Sequence, residues 1–284
     1  MTIADVFFAI GKTHDICQDY GLADDPVQSD MAGAKAYAIV CDGCSSSANT
    51  DWGARFLARS AASASYPFNA LNVVERADYY RQALQLHPSA LDATLIRAQE
   101  LPSGDVEVIA CGDGVIVARR RDGSGYYSVA ISYSHNAPAY LSYLLDAGRL
   151  AAYRKAGGGI KTLIENNGTG YMSSSPIRVN NPDDVVRDLN QTFHRVFSRA
   201  EYDVVLVMTD GAESFQRREG TKLVMVPLVE VLDQVLDFKT VTHGFLKRRL
   251  KRFLGKFCAE KGWQHNDDFA VAGLVMDPPL EGVK

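Results

Sequence analysis

Between Ala93 and Ser132 four apolar runs follow one another almost without interruption. They are Ala93 to Gln99, Asp105 to Cys111, Gly114 to Arg120 and Tyr126 to Ser132. Ser103-Gly104, Asp113-Gly114 and Asp122-Gly123 stand at the joints, the residue chemistry of tight reversals. A parallel pair needs a crossover of about a dozen residues or more, and none fits these gaps. The segment predicts an antiparallel meander and argues against a doubly wound parallel sheet.

The remaining chain mixes strands with helices. Val6 to Gly11, Ala36 to Cys41, Val204 to Met208 and Phe269 to Val275 read as strands, with a polar, acidic loop from Asp15 to Asp30. Thr50 or Asp51 can cap a helix running to about Ser65. Leu71 to Leu86 forms a second, stopped at His87-Pro88. Ala137 to Gly148, Asp183 to Arg199, Pro227 to Leu236 and Thr242 to Lys261 are further predicted helices. Gly148 to Ser175 is rich in glycine and serine, which predicts a mobile, flap-like surface segment over about 148–176. With no repeat and no linker, residues 1–284 read as one α+β domain.

Bulk numbers narrow the class. The chain has 284 residues, 46% hydrophobic and 23% charged, with net charge −4. That balance gives no electrostatic footprint for nucleic acid or anionic membranes. No apolar run is long enough to span a bilayer. The N-terminus has no basic region ahead of its apolar stretch, so no signal peptide is read. Five cysteines, an odd number, suit a reduced cytoplasmic protein.

Aspartates mark three of the predicted strands. Asp42 and Asp210 stand at strand C-termini, each before a glycine, and Asp267-Asp268 stand at the start of the last strand. If that strand runs antiparallel to the others, its beginning lies beside their ends. All these carboxylates then meet at one edge of the core. Clustered anions resist burial unless one is protonated or a cation joins them. Carboxylates with backbone oxygens suit hard cations such as Mg²⁺ or Mn²⁺. The glycine after each strand-end aspartate permits a sharp turn and close approach, so Gly43 can offer its carbonyl.

Five segments in order resemble a known family: HDICQD (His14 to Asp19), VCDGCSSS (Val40 to Ser47), ACGDGVIVAR (Ala110 to Arg119), VMTDGAESF (Val207 to Phe215) and NDDFAVAG (Asn266 to Gly273). The chain is similar to the metal-dependent protein phosphatases of the 2C type, which hydrolyse phosphoserine and phosphothreonine. The resemblance implies a central antiparallel β-sandwich flanked by helix pairs. It implies a binuclear Mn²⁺ or Mg²⁺ site with room for a third ion. Carried over, Asp42 bridges two metals and the Gly43 carbonyl binds one. Asp210 and Asp267 bind the other, and Asp267 is chosen over Asp268 by its spacing to Val271. Asp113 matches a third-metal aspartate, or is a plain hairpin turn with Gly114. Asp19 orients metal-bound water. The implied partner is a phosphorylated protein made by a Ser/Thr kinase, and the enzyme is a cytoplasmic monomer. Three positions depart from the family: Gln18 stands where an acidic residue is common, and Cys44 where many eukaryotic members have a histidine. His14 stands in place of a phosphate-binding arginine, as a phosphate contact or a polar strand-end residue.

Other readings use the same residues. His14, Cys17, Cys41 and Cys44 supply four zinc-type ligands, but Asp42 interrupts them and no second C-x-x-C exists. A haloacid-dehalogenase-type site needs Asp-x-Asp after the first strand, and Asp42-Gly43-Cys44 lacks it. The acidic balance disfavours a nuclease. Loss of the acid histidine and Gln18 leave a pseudophosphatase-like binding module as the alternative function. Lys247, Arg248, Arg249, Lys251 and Arg252 form a basic helix face, either solvated or a docking surface for an acidic partner. Arg55, Arg149, Arg154 and Lys161 are candidates for a substrate phosphate.

Overall fold

The computed structural model describes residues 1–25, 35–64, 66–133, 136–156, 160–166, 172–178 and 192–278. Two antiparallel sheets dominate. One holds seven strands: β1 (Thr2–Ala9), β15 (Phe269–Met276), β11 (Tyr202–Met208), β6 (Gly114–Arg120), β7 (Tyr126–Tyr133), β8 (Ile160–Asn166) and β9 (Met172–Arg178), in that order. The other orders β10 (Phe193–Phe197), β5 (Val106–Cys111), β4 (Leu95–Glu100), β3 (Tyr37–Cys41) and β2 (Tyr20–Asp24). A small sheet joins β13 (Lys222–Met225), β12 (Phe215–Glu219) and β14 (Trp263–His265).

Alternating side chains divide the interior into three apolar layers. Val40, Ile96, Val108, Ile116, Val207 and Ala272 meet between the two large sheets. Their neighbours point outward. Ile39, Leu95 and Ile109 pack with α1 (Thr50–Ala62) and α2 (Ala70–Ala83) through Leu57, Val73 and Val74. Val115, Val117, Leu206 and Val271 pack with α4 (Leu228–Leu236) and α5 (Phe245–Arg252) through Val231, Val235, Leu246 and Leu250. Strands buried on both faces explain the continuous apolar runs in β6, β11 and β15. α5 continues through a π-helical turn (Phe253–Phe257) into α6 (Cys258–Lys261). Its buried face is Phe245, Leu246, Leu250 and Phe253, at helical spacing.

The α+β class and the antiparallel pairing follow the sequence, with corrections in detail. The four runs do not form one meander. β4 and β5 pair in the five-stranded sheet, β6 and β7 in the seven-stranded one. Asp113-Gly114 is therefore no hairpin turn; it is the corner where the chain passes between sheets. Gly114 adopts φ 131°, and a Cβ there would sit 2.6 Å from the Met208 carbonyl oxygen. Only glycine fits. The predicted helix Asp183 to Arg199 is strand β10 over Phe193–Phe197, while its part at 183–191 lies outside the described residues. Ala137 to Gly148 is not one helix. A 3₁₀ turn spans Leu141–Leu145, and α3 runs Ala147–Lys155. The acidic loop Asp15 to Asp30 contains strand β2, and its part at 26–30 lies outside the described residues. The glycine- and serine-rich stretch contributes α3, β8 and the start of β9, and 157–159 and 167–171 fall outside the described residues.

Candidate active site

Every strand that carries a predicted aspartate delivers it to the same end of the sandwich. β15 pairs antiparallel with β11, Met208 opposite Val271, so Asp210 and Asp267 come from neighbouring chain ends. β3 ends beneath them in the other sheet, and the Asp113 corner joins the two. His14, Asp42, Gly43, Cys44, Asp113 and Asp210 line one cavity of about 280 Å³ together with Asp267 and Tyr140.

Asp42 is fixed by the β3–β4 junction. Its carbonyl accepts from the Thr94 amide at 2.8 Å, and its amide donates to the Thr94 hydroxyl at 3.3 Å. Gly43 then passes so close to α1 that a Cβ would lie 2.8 Å from the Thr50 carbonyl oxygen and 2.9 Å from that of Gln18. Asp19 lies buried behind Asp42 and does not line the cavity. The Thr209 hydroxyl donates to it at 2.6 Å.

Burial and crowding raise the pKa of Asp19, Asp42, Asp113 and Asp210. Burial pushes Asp42 well up, and Asp19, Asp210 and Asp113 push it further. Asp19 is raised by burial, with Asp210 and Asp268 adding to it, against hydrogen bonds from Thr209 and Asp42. Asp113 is pushed up to about 8 by burial and then by Asp210. Asp210 rises to about 6 through burial and Asp267. Glu213, absent from the sequence reading, rises to about 7 by burial and the Asp210 charge. Among the described residues no three histidine, cysteine, aspartate or glutamate side chains are grouped closely enough to hold a metal ion. The donor types that line the cavity, carboxylates and the Gly43 backbone, are those that hard cations take.

Asp267 and Asp268 have different surroundings. Asp267 opens into the cavity, whereas Asp268 is 2% exposed. Asp268 accepts the Gly11 amide at 2.7 Å and the Gln18 amide at 2.6 Å. It thereby ties residues 11–18 to the start of β15. His14 sits between both aspartates, Nε2 3.4 Å from Asp267 and Nδ1 3.0 Å from Asp268. Burial works against its imidazolium, but the Asp268 hydrogen bond and the charges of Asp268, Asp267 and Asp210 outweigh it and raise its pKa.

Other candidates separate. Gln18 gives its side-chain amide to the Thr50 hydroxyl at 2.7 Å. Arg55 lies over Tyr20 at 4.9 Å, and Arg149 binds the buried Asp92 at 2.7 Å. The side chains of Arg154 and Lys161 lie outside the described residues. Cys41 packs in the helix-side core with Cys111, while Cys44 lines the cavity, so the C-x-x-C pair shares no face. Tyr140 went unread because a single tyrosine outside any motif carries no signal. It stands beside Cys44 and keeps its proton firmly, through burial and that contact.

The sequence matches the family model for protein phosphatase 2C over residues 11–255. A match over most of the chain, with this fold and carboxylate cavity, defines a Ser/Thr protein phosphatase, a hydrolase of a class that depends on metal ions. The chain belongs to the protein phosphatase 2C family. A bacterial serine phosphatase of known crystal structure is similar in fold, with TM-score 0.52 at 11% identity, covering 98% of this chain and 99% of that one. The serine/threonine phosphatase Stp1 from Staphylococcus aureus gives TM-score 0.48 at 11% identity, covering 98% and 96%. A serine/threonine phosphatase from S. agalactiae gives 0.49 at 12% identity, covering 98% and 100%. No curated protein matches by sequence. Among the described residues no helix is long and apolar enough to cross a membrane.

Proposed function

We propose that this cavity hydrolyses phosphoserine and phosphothreonine with two divalent ions, Mn²⁺ or Mg²⁺, and no covalent phosphoenzyme. The supporting observation is that four carboxylates from separate strand ends line one cavity, where burial and mutual repulsion raise the pKa of three of them. Asp42, the Gly43 carbonyl, Asp210 and Asp267 would hold the pair, with Asp113 available to a third ion. Such ions supply Lewis-acid polarisation of phosphoryl oxygens and water of lowered pKa.

The chain's own groups do the rest. Asp19, anchored by Thr209, fixes Asp42 from behind and orients the attacking water through it. His14, held between two aspartates that favour its protonated form, borders the cavity where it would meet a phosphate oxygen. Tyr140 and Cys44 border the same space, beside the path of the departing alkoxide. The substrate is a phosphorylated protein paired with a Ser/Thr kinase, and the enzyme acts as a monomer. Five free cysteines support a cytoplasmic setting.

The test is p-nitrophenyl phosphate hydrolysis with added Mn²⁺, with and without chelator, in wild type and Asp210→Asn. Turnover is expected only with the ion. The variant should lose about 100-fold or more in kcat/KM, since even outer neighbours of metal ligands are worth about 10- to 100-fold. Metal-independent turnover, or a variant as fast as wild type, defeats the mechanism. For His14→Ala the expected change is a raised KM; an unaltered KM and kcat remove its role.

A further inference from the structure

The basic face of α5 is not used by the catalytic cavity. Arg248, Arg249 and Arg252 instead line a second cavity of about 260 Å³ with Asp237, Phe238 and Phe245. It lies at the opposite end of the strands. Arg119, near the end of β6, lies over the Phe238 ring at 5.8 Å and binds Asp203 near the start of β11 at 2.8 Å. Asp113 and Asp210 stand at the other ends of those same two strands.

The charges of this cavity are poorly balanced. The Arg249 side chain is 8% exposed; one nitrogen meets Asp237 at 3.1 Å, itself 66% exposed, and the other two donate to the Gln234 carbonyl and side-chain oxygen. Burial lowers its pKa, Asp237 opposes that, and the Arg252 charge lowers it again. Arg248 donates to neutral acceptors, the carbonyls of His243 and Thr242 and the hydroxyls of Thr240 and Thr242. Arg252 is exposed, with no hydrogen-bond or carboxylate partner among the described residues. Lys239 adds a further cation to the rim. Three guanidiniums and an ammonium thus face a single carboxylate. An anion entering the cavity relieves this repulsion, and guanidinium forks match phosphate geometry.

Size and apolar lining define the rest of the ligand. The volume far exceeds one phosphate group and falls just below the common range of small-molecule sites, about 300–1,000 Å³. Phe238 and Phe245, in edge-to-face contact at 5.2 Å, supply an apolar wall. We propose that this cavity binds a small organic phosphate, its dianion on the Arg252 fork with Arg248 and Arg249 adding positive charge beside it, and its apolar body against Phe238.

The test is calorimetric and needs no turnover, so it stands or falls apart from the catalytic reading. Phenylphosphonate, methylphosphonate and benzoate are titrated into the full chain with chelator present. Phenylphosphonate should bind one per chain, about tenfold tighter than either of the others, as charge-assisted and aromatic contacts both contribute. Arg252→Gln should weaken it by about tenfold or more, and Arg252→Lys should restore only part, because an ammonium lacks the fork. An exposed, unpartnered side chain leaves the fold intact, checked by an unchanged melting temperature. Equal binding to wild type and Arg252→Gln overturns the site, as does no binding at millimolar concentration. Methylphosphonate or benzoate binding as tightly as phenylphosphonate overturns the ligand class.

Discussion

Two adjacent aspartates open β15 with different partners, and substitution separates their roles. Asp268 holds two backbone amides, those of Gly11 and Gln18, and its replacement by alanine leaves both without an acceptor. An orphaned buried group costs about 1–3 kcal/mol, and the Gln18 amide is only partly buried, so Asp268→Ala should lower unfolding free energy by about 1–4 kcal/mol in a urea titration. Asp267→Asn should leave stability near wild type, because its side chain is 43% exposed, and should instead weaken Mn²⁺ binding and turnover. A stable Asp268→Ala, or an unfolded Asp267→Asn, would contradict the division. The choice of Asp267 for the cavity could be made from its spacing to Val271. The role of Asp268 could not, because its partners lie about 250 residues away in sequence.

Strand β10 shows where local pattern and tertiary packing part. Its burial alternates, with His194 and Val196 exposed and Phe197 sealed inside. Five residues of period-two pattern were swamped by an acidic, helix-like approach at Asp183-Asp184. Phe197 contacts Tyr127 at 5.7 Å and Tyr202 at 5.3 Å, anchoring an edge strand to the middle layer. Phe197→Ala should cost about 3–5 kcal/mol, the usual toll for a deleted core aromatic, read from chemical denaturation. A loss below about 1 kcal/mol would deny the anchor, since that is the scale of ordinary surface substitutions. The long apolar runs of β6, β11 and β15 were legible because both faces are buried. The crossing at Asp113 was not, because Gly114 is demanded alike by a tight turn and by a passage between sheets.

Across the whole molecule the raised carboxyls set a pH dependence. Asp210 titrates near 6 and Asp113 near 8 in the fold, against about 4 for an unperturbed aspartate. Between those limits the folded chain holds protons that the unfolded chain has released. Linkage then makes stability fall as pH rises through that window. Without divalent ions, the melting temperature should drop between about pH 5 and pH 8. Saturating Mn²⁺ should raise it and flatten the slope, with protons released on binding. A metal-free protein whose melting temperature climbs over that range would refute the assignment. Asp42 hangs from the five-stranded sheet and Asp210 from the seven-stranded one, with Asp113 on the strap between. Ions shared by these groups would rivet one half of the sandwich to the other. Cation affinity would then gauge the gap between the halves, so repacking at Val108 or Ala272 should retune it without touching a ligand.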